Sequence, residues 1–165
     1  MKLAVPLLLA ASLNMATAAY AEPAAKKSAS PLLGAWALDL SKMPVPPEAR
    51  PKSVTITFAD VGGGKWSTRV VIIGPDGSTR DMTSAYARTG VAVPIEGDQM
   101  EADTAAVATP TPNVMVLALG KDNHPASTRI YAVSKDGKTM TEEAVNWDDD
   151  GKPIIRTNIF KRVRK

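Results

Sequence analysis

The chain has 165 residues, a formal net charge of +3 at neutral pH, one histidine and no cysteine. So slight an excess of positive charge excludes a domain-wide nucleic-acid footprint, and the lack of cysteine excludes disulfides and thiolate metal sites. The fold must stand on its hydrophobic core alone, which one domain of this length supplies by hiding roughly 70% of its unfolded surface.

The first residues, "MKLAVPLLLAASLNMATAAYA", read as a secretory signal peptide. Lys2 is followed by an apolar run from Leu3 to Leu13 and then by small residues ending in Ala19-Tyr20-Ala21, an A-x-A cleavage site that puts the mature start at Glu22. The run is shorter than the roughly 20 residues of a spanning helix, so no membrane span is expected after cleavage. The expected compartment is the periplasm, with release to the medium as the alternative. Residues 22–31, "EPAAKKSASP", are small, polar and flanked by proline, and are read as a flexible lead-in. Residues 32–165 are then one folded domain.

From Leu32 onward the segments alternate and are rich in β-branched residues. "GAWAL" opens the first strand. In "SVTITF" the side chains of Val54, Ile56 and Phe58 share one face, and "KWSTRVVII" places Trp66, Thr68, Val70 and Ile72 together. Strands follow at "STRDMTSAYA", "TAAVA", "VMVLAL", "STRIYAVS", "TMTEEAVNW" and "PIIRTNIF". "VMVLAL" is apolar on both faces, which predicts a strand covered on both sides. Arg88 to Asp103 is read as an irregular edge or lid-like loop. Hairpin dipeptides stand at Asp76-Gly77, Asp136-Gly137 and Asp150-Gly151, where glycine supplies the positive φ of a tight turn. About 8 to 10 one-faced antiparallel strands in sequence remove their edges best by closing into an up-and-down barrel, so the expected class is all-β. A β-sandwich is the alternative architecture.

The chemically suggestive residues have plainer readings. His124 lies alone in the turn "DNHP", without ligand spacing around it. Asp148, Asp149 and Asp150 precede Gly151, but "KPIIRT" lacks the distal glutamate of a calcium loop. Glu142 and Glu143 are adjacent on one strand and point to opposite faces, so they form no acid and base pair. If Asp136-Gly137 is a tight turn, Arg129 faces Ala144 and lies diagonally across from Glu142, within reach of a cross-strand ion pair worth little in water. "DVGGGKWST" lacks the spacer of a phosphate loop, and no serine sits in a G-x-S-x-G setting. Lys161, Arg162, Arg164 and Lys165 are read as a solvated chain end. No catalytic residue, metal site or cofactor is expected.

The opening "LLGAWALDLSKM", the stretch "PEARPKSVTITF" and the closing "VSKDGKTMTEEAVNWDDDGKPI" resemble small exported bacterial proteins with a lipocalin-like β-barrel, mostly uncharacterised. The resemblance runs from Leu33 to about Lys161. It implies that Gly34 and Trp36 form a glycine-x-tryptophan element at the closed end, with a late arginine packed over the ring. Arg156 is the better candidate for that arginine and Arg162 the second.

A barrel of this size is either filled by side chains or holds one small ligand. Trp66, Tyr86, Met100, Met115, Tyr131, Met140 and Trp147 are the large residues that would line a pocket whose walls are otherwise alanine, valine and threonine. The first expectation is a binding module for a small apolar or amphipathic molecule. The second is a structural or interaction domain with a filled barrel, presenting an edge or the Arg88 to Asp103 region to an envelope protein.

Overall fold

The computed structural model describes residues 29–148 and 150–163. The leader at 1–21, and the lead-in up to residue 28, lie outside the described residues. Eleven strands form one antiparallel sheet curled into a nearly closed barrel: β1 (Gly34–Leu38), β2 (Ser53–Gly62), β3 (Lys65–Ile73), β4 (Thr79–Tyr86), β5 (Thr89–Pro94), β6 (Glu96–Gly97), β7 (Thr104–Thr111), β8 (Val114–Lys121), β9 (His124–Val133), β10 (Thr139–Trp147) and β11 (Pro153–Arg162). Their order is β5-β7-β8-β9-β10-β11-β1-β2-β3-β4-β6, so the first strand is stitched between the second and the last. Two short 3-10 turns, Leu40–Lys42 and Pro47–Ala49, connect β1 to β2. Among the described residues no helix is long and apolar enough to cross a membrane.

Alternation sets the inside of the barrel. In β2, Ile56 and Phe58 are buried, and in β3 Trp66 and Thr68 are buried. β8 buries Met115 and Leu117 while Ala118 is exposed. The two-sided cover expected for "VMVLAL" is therefore absent, because a single-walled barrel has no second layer to hide its outer face. The core also takes in Leu32, Trp36, Tyr86, Tyr131, Met140 and Phe160. Each full burial of a large side chain contributes about 1.5 to 3 kcal/mol. The rings of Phe58 and Tyr131 meet edge to face at 5.5 Å.

Two of the eleven strands lie in the region read as an edge or lid-like loop. β5 pairs with β7 and β6 pairs with β4, and only Ile95 separates β5 from β6. The chain itself thus bridges the seam where the two ends of the sheet meet. Ile95 is buried, and its N–H donates to the Asp103 carbonyl at 2.8 Å. Asp98 N–H donates to the Asp81 carbonyl at 2.8 Å, which continues the β4 side of the seam.

The hairpins follow their turn chemistry. Gly77, Gly137 and Gly151 all have positive φ at the tips, and each donates its N–H to the residue three places earlier. Ser134 N–H donates to the Thr139 carbonyl, and Arg129 is paired with Ala144, as the turn at Asp136-Gly137 requires.

The closed end is built around Trp36. Its ring is fully buried and its Nε1 donates to the Leu32 carbonyl at 2.8 Å. The cation over the ring is Arg162, 4.0 Å from the ring centre, and not Arg156. Register explains the difference: Trp36 is paired with Arg162 across β1 and β11, whereas Arg156 is exposed opposite Ala144, about 20 Å further along the strand at 3.3 Å per residue. Arg162 also donates to the carbonyls of Gly137, Leu33 and Pro31. Gly34 has φ of 123°, and a Cβ there would stand 2.8 Å from Arg162 Nη1. Its lack of a side chain makes room for the guanidinium. The tail is thus only partly a solvated end: Lys161 reaches the Asp39 carboxylate at 3.0 Å and the half-buried Arg162 packs over the Trp36 ring.

Candidate functional site

A polar rung crosses three neighbouring strands inside the barrel. Tyr131 of β9, Glu142 of β10 and Asn158 of β11 are paired side by side and point inward by alternation. The Tyr131 hydroxyl donates to Glu142 Oε1 and the Asn158 amide donates to Glu142 Oε2, each at 2.7 Å. Arg129, two residues before Tyr131 and on the same face, donates through Nη1 to Glu142 Oε1 at 3.3 Å. Glu142 is 2% exposed. The ion pair expected to be solvated is buried at its Glu142 end and half-buried at Arg129, and burial changes its weight, because losing the arginine strands the carboxylate away from water.

The rung connects to the seam. Arg129 Nη2 donates to Glu101 at 3.1 Å, Arg80 of β4 donates to the same carboxyl at 3.2 Å, and Arg80 also holds Asp98 at 2.9 Å. Five charged side chains from β4, the β6–β7 connection, β9 and β10 therefore form one continuous chain from the surface to the interior. Burial, and then the neighbouring Glu142, push the Tyr131 hydroxyl well above its ordinary range, so it remains a donor. Burial opposes the charge on Arg129, but the anionic groups around it outweigh that and hold its pKa above the usual value. The hydrogen bond from Arg80 holds Asp98 below the usual carboxylate range.

Beside this cluster lies a partly open cavity of about 60 Å³. Its walls are mostly apolar: Val70 and Met82 of β3 and β4, Ile95 at the seam, Ala102, Ala105, Leu117 and Leu119. Thr68, Thr83, Ser84, Glu101, Arg129 and Tyr131 supply the polar part. At roughly 10 to 15 Å³ per water-sized group, the space takes about four to six such groups.

The structure disperses the seven large residues expected to line a pocket. Tyr131 lines the cavity. Tyr86, Met115 and Met140 are packed into the core, with the Tyr86 hydroxyl 2.5 Å from Thr68 Oγ1. Trp66 is buried beneath Arg88, 4.3 Å from its ring centre, and borders a separate open groove with Leu33, Pro110 and Pro112. Met100 is 73% exposed in the β6–β7 connection and Trp147 is 47% exposed, so neither faces the interior. Trp147 stands seven places from Met140 on one strand, and an odd interval puts the two on opposite faces.

Arg129, Glu142, Asn158, Glu101, Arg80 and Asp98 were not read as site residues. The available signal was parity: in "TMTEEAV", Glu142 shares its face with Met140 and Ala144, an apolar setting for a carboxylate. His124 is exposed and opens β9 just after the turn, and Asp148 Oδ1 accepts the N–H groups of Asp150 and Lys152. No group of metal-binding side chains occurs among the described residues.

Neither a protein-family model nor a curated protein matches the sequence. Solved structures do match the fold. Wild-type fluorescent protein UnaG superposes with a TM-score of 0.51 at 13% identity over 79% of this chain and 96% of its own. Fatty-acid-binding protein 1 of Echinococcus granulosus superposes with a TM-score of 0.52 at 11% identity over 81% of this chain and 98% of its own. At such identities the likeness is one of fold: the chain is a β-barrel of the kind seen in these two proteins.

Proposed function

We propose that this chain is an exported, non-enzymatic barrel that binds a small, largely apolar molecule in its interior. The carrying observation is the cavity bounded by Val70, Met82, Ile95, Ala105 and Leu117, which is apolar over most of its wall and ends at Arg129 and Tyr131. A few placed polar groups at the end of an apolar space are what orient a small ligand. The similarity of fold to a fatty-acid-binding protein supports the reading. Titrating methyl-labelled protein with short-chain amphiphiles tests it. The methyl signals of Leu117, Leu119 and Met82 are expected to shift saturably while that of exposed Val91 stays still. Absence of any saturable shift at the cavity methyls sinks the reading.

Export to the periplasm rests on the leader alone. Intact-mass measurement of the protein recovered from its host is expected to give a mature chain starting at Glu22. Recovery of the uncleaved chain contradicts it.

A second reading, docking to an envelope protein, is favoured by one feature. β11 runs past the end of β1, whose last paired residue is Leu38 opposite Phe160, and exposes Ile155 and the neighbouring Trp147. A strand edge with apolar neighbours is a template for an added strand. In-cell cross-linking from position 155 tests it. A specific adduct is expected, and an absence of adducts discards this reading.

A further inference from the structure

The interior cluster constrains which ligand the cavity accepts. Arg129 commits Nη1 to Glu142 and Nη2 to Glu101. Its Nε is buried and has no acceptor among the described residues. A free carboxylate takes a guanidinium best through two parallel N–H bonds, and here both terminal nitrogens already hold carboxylate oxygens. The Tyr131 hydroxyl is likewise committed to Glu142. Nε is therefore the one guanidinium nitrogen left with no acceptor, on a side chain that lines the cavity.

Charge points the same way. Along the chain from Asp98 to Glu142, two guanidiniums face three carboxylates. An incoming acid adds a fourth, without a counter-ion, in a site where water does not reach Glu142. An unpaired buried charge is strongly disfavoured. A carbonyl oxygen instead satisfies the orphan donor and brings no charge.

Resting on the ligand-binding reading above, we infer that the cavity selects an uncharged short-chain molecule whose polar end is one hydrogen-bond acceptor, a ketone or ester carbonyl held by Arg129 Nε–H, and that Glu142 excludes free carboxylic acids. Glu142 thus occupies the guanidinium and hydroxyl that an acid ligand would need. Its place in the rung with Tyr131 and Asn158 makes it a built-in counter-ion.

The test is a matched pair of probes of five non-hydrogen atoms, butanone and propanoate, titrated at neutral pH into the mature protein and into Glu142→Gln, with binding read from the cavity methyl signals. For the unaltered protein the ketone is expected to bind at least about tenfold more tightly than propanoate. In Glu142→Gln propanoate is expected to gain about tenfold, because the guanidinium is released, while the ketone changes little. Equal or tighter binding of propanoate to the unaltered protein overturns the inference and leaves ligand binding standing. Failure of both probes to shift any cavity methyl overturns both. Should Glu142→Gln not fold, the ratio in the unaltered protein decides alone.

Discussion

Glu142 and Tyr131 face each other across β10 and β9, joined by a hydrogen bond of 2.7 Å, and each is only 2% exposed. A carboxylate so placed depends on neighbouring donors, and Arg129, Tyr131 and Asn158 on adjacent strands supply three. The pairing ties the last three strands together and sets the polarity of the cavity beside them.

Removing that carboxylate takes the acceptor from Arg129 Nη1, the Tyr131 hydroxyl and the Asn158 amide nitrogen. Glu142→Ala is expected to cost about 3 to 5 kcal/mol, as deletion of one partner of a buried ion pair does. Tyr131→Phe, which removes a single donor, is expected to cost about 1 to 3 kcal/mol. Urea unfolding checks both. A Glu142→Ala protein as stable as the parent would show that the pair is solvated.

The closed end offers a sharper contrast between two arginines on one strand. Trp36→Ala is expected to lower stability by about 3 to 5 kcal/mol, as large aromatic truncations in cores do. Arg162→Ala removes the cation over Trp36, worth about 0.5 to 2 kcal/mol, together with hydrogen bonds to three carbonyls. Arg156→Ala, at an exposed position, is expected to stay within about 0.5 kcal/mol of the parent. Gly34→Ala is expected to destabilise, since its φ is positive and the new methyl meets Arg162. Thermal unfolding of the four variants ranks them. Equal losses for Arg156→Ala and Arg162→Ala would contradict the assignment.

Ionisation gives predictions at both ends of the pH scale. The hydrogen bond from Ser41, and then Lys161, lower Asp39 to about 2. A depressed carboxyl stabilises the fold above its unfolded pKa of about 3.9, and that contribution is lost as pH falls through about 2. Carboxyl carbon NMR is expected to follow Asp39 titrating near 2, and Ser41→Ala to raise it; titration near 4 would contradict the contact. Tyr131 runs the other way. Its raised pKa gives a contribution fully present below about 10 that is lost as pH rises through its higher folded value. Tyr131→Phe is expected to flatten the alkaline side of the stability profile, and an unchanged profile would contradict this.

Much of the barrel was legible because alternation and turn chemistry are local. Val54, Ile56 and Phe58 announce an inward face, and the pairing of Arg129 with Ala144 follows from counting back from Asp136-Gly137. The seam was not legible. β5 and β6 are short, and β5 is mostly exposed, so neither shows the alternation that marks a strand; they pair because the two ends of the sheet arrive beside them. The choice of Arg162 over Arg156 depends on the register between β1 and β11, whose paired residues Trp36 and Arg162 lie 126 positions apart in the sequence and meet only through closure of the whole barrel. The residues of the cavity wall are set by face parity in the same way. Size suggested Met100 and Trp147, whereas face parity, readable along β10, places Trp147 outside and Glu142 inside.

The claim that the interior is a binding site is tested most directly by filling it. Ala105 lines the cavity and is 2% exposed, and Ala105→Phe places a ring in the space at a folding cost of about 1 to 3 kcal/mol. With the fold verified by its amide spectrum, the variant is titrated with butanone beside the parent. The expected result is saturable binding to the parent and none to Ala105→Phe. Undiminished affinity in the filled variant would contradict binding in the cavity.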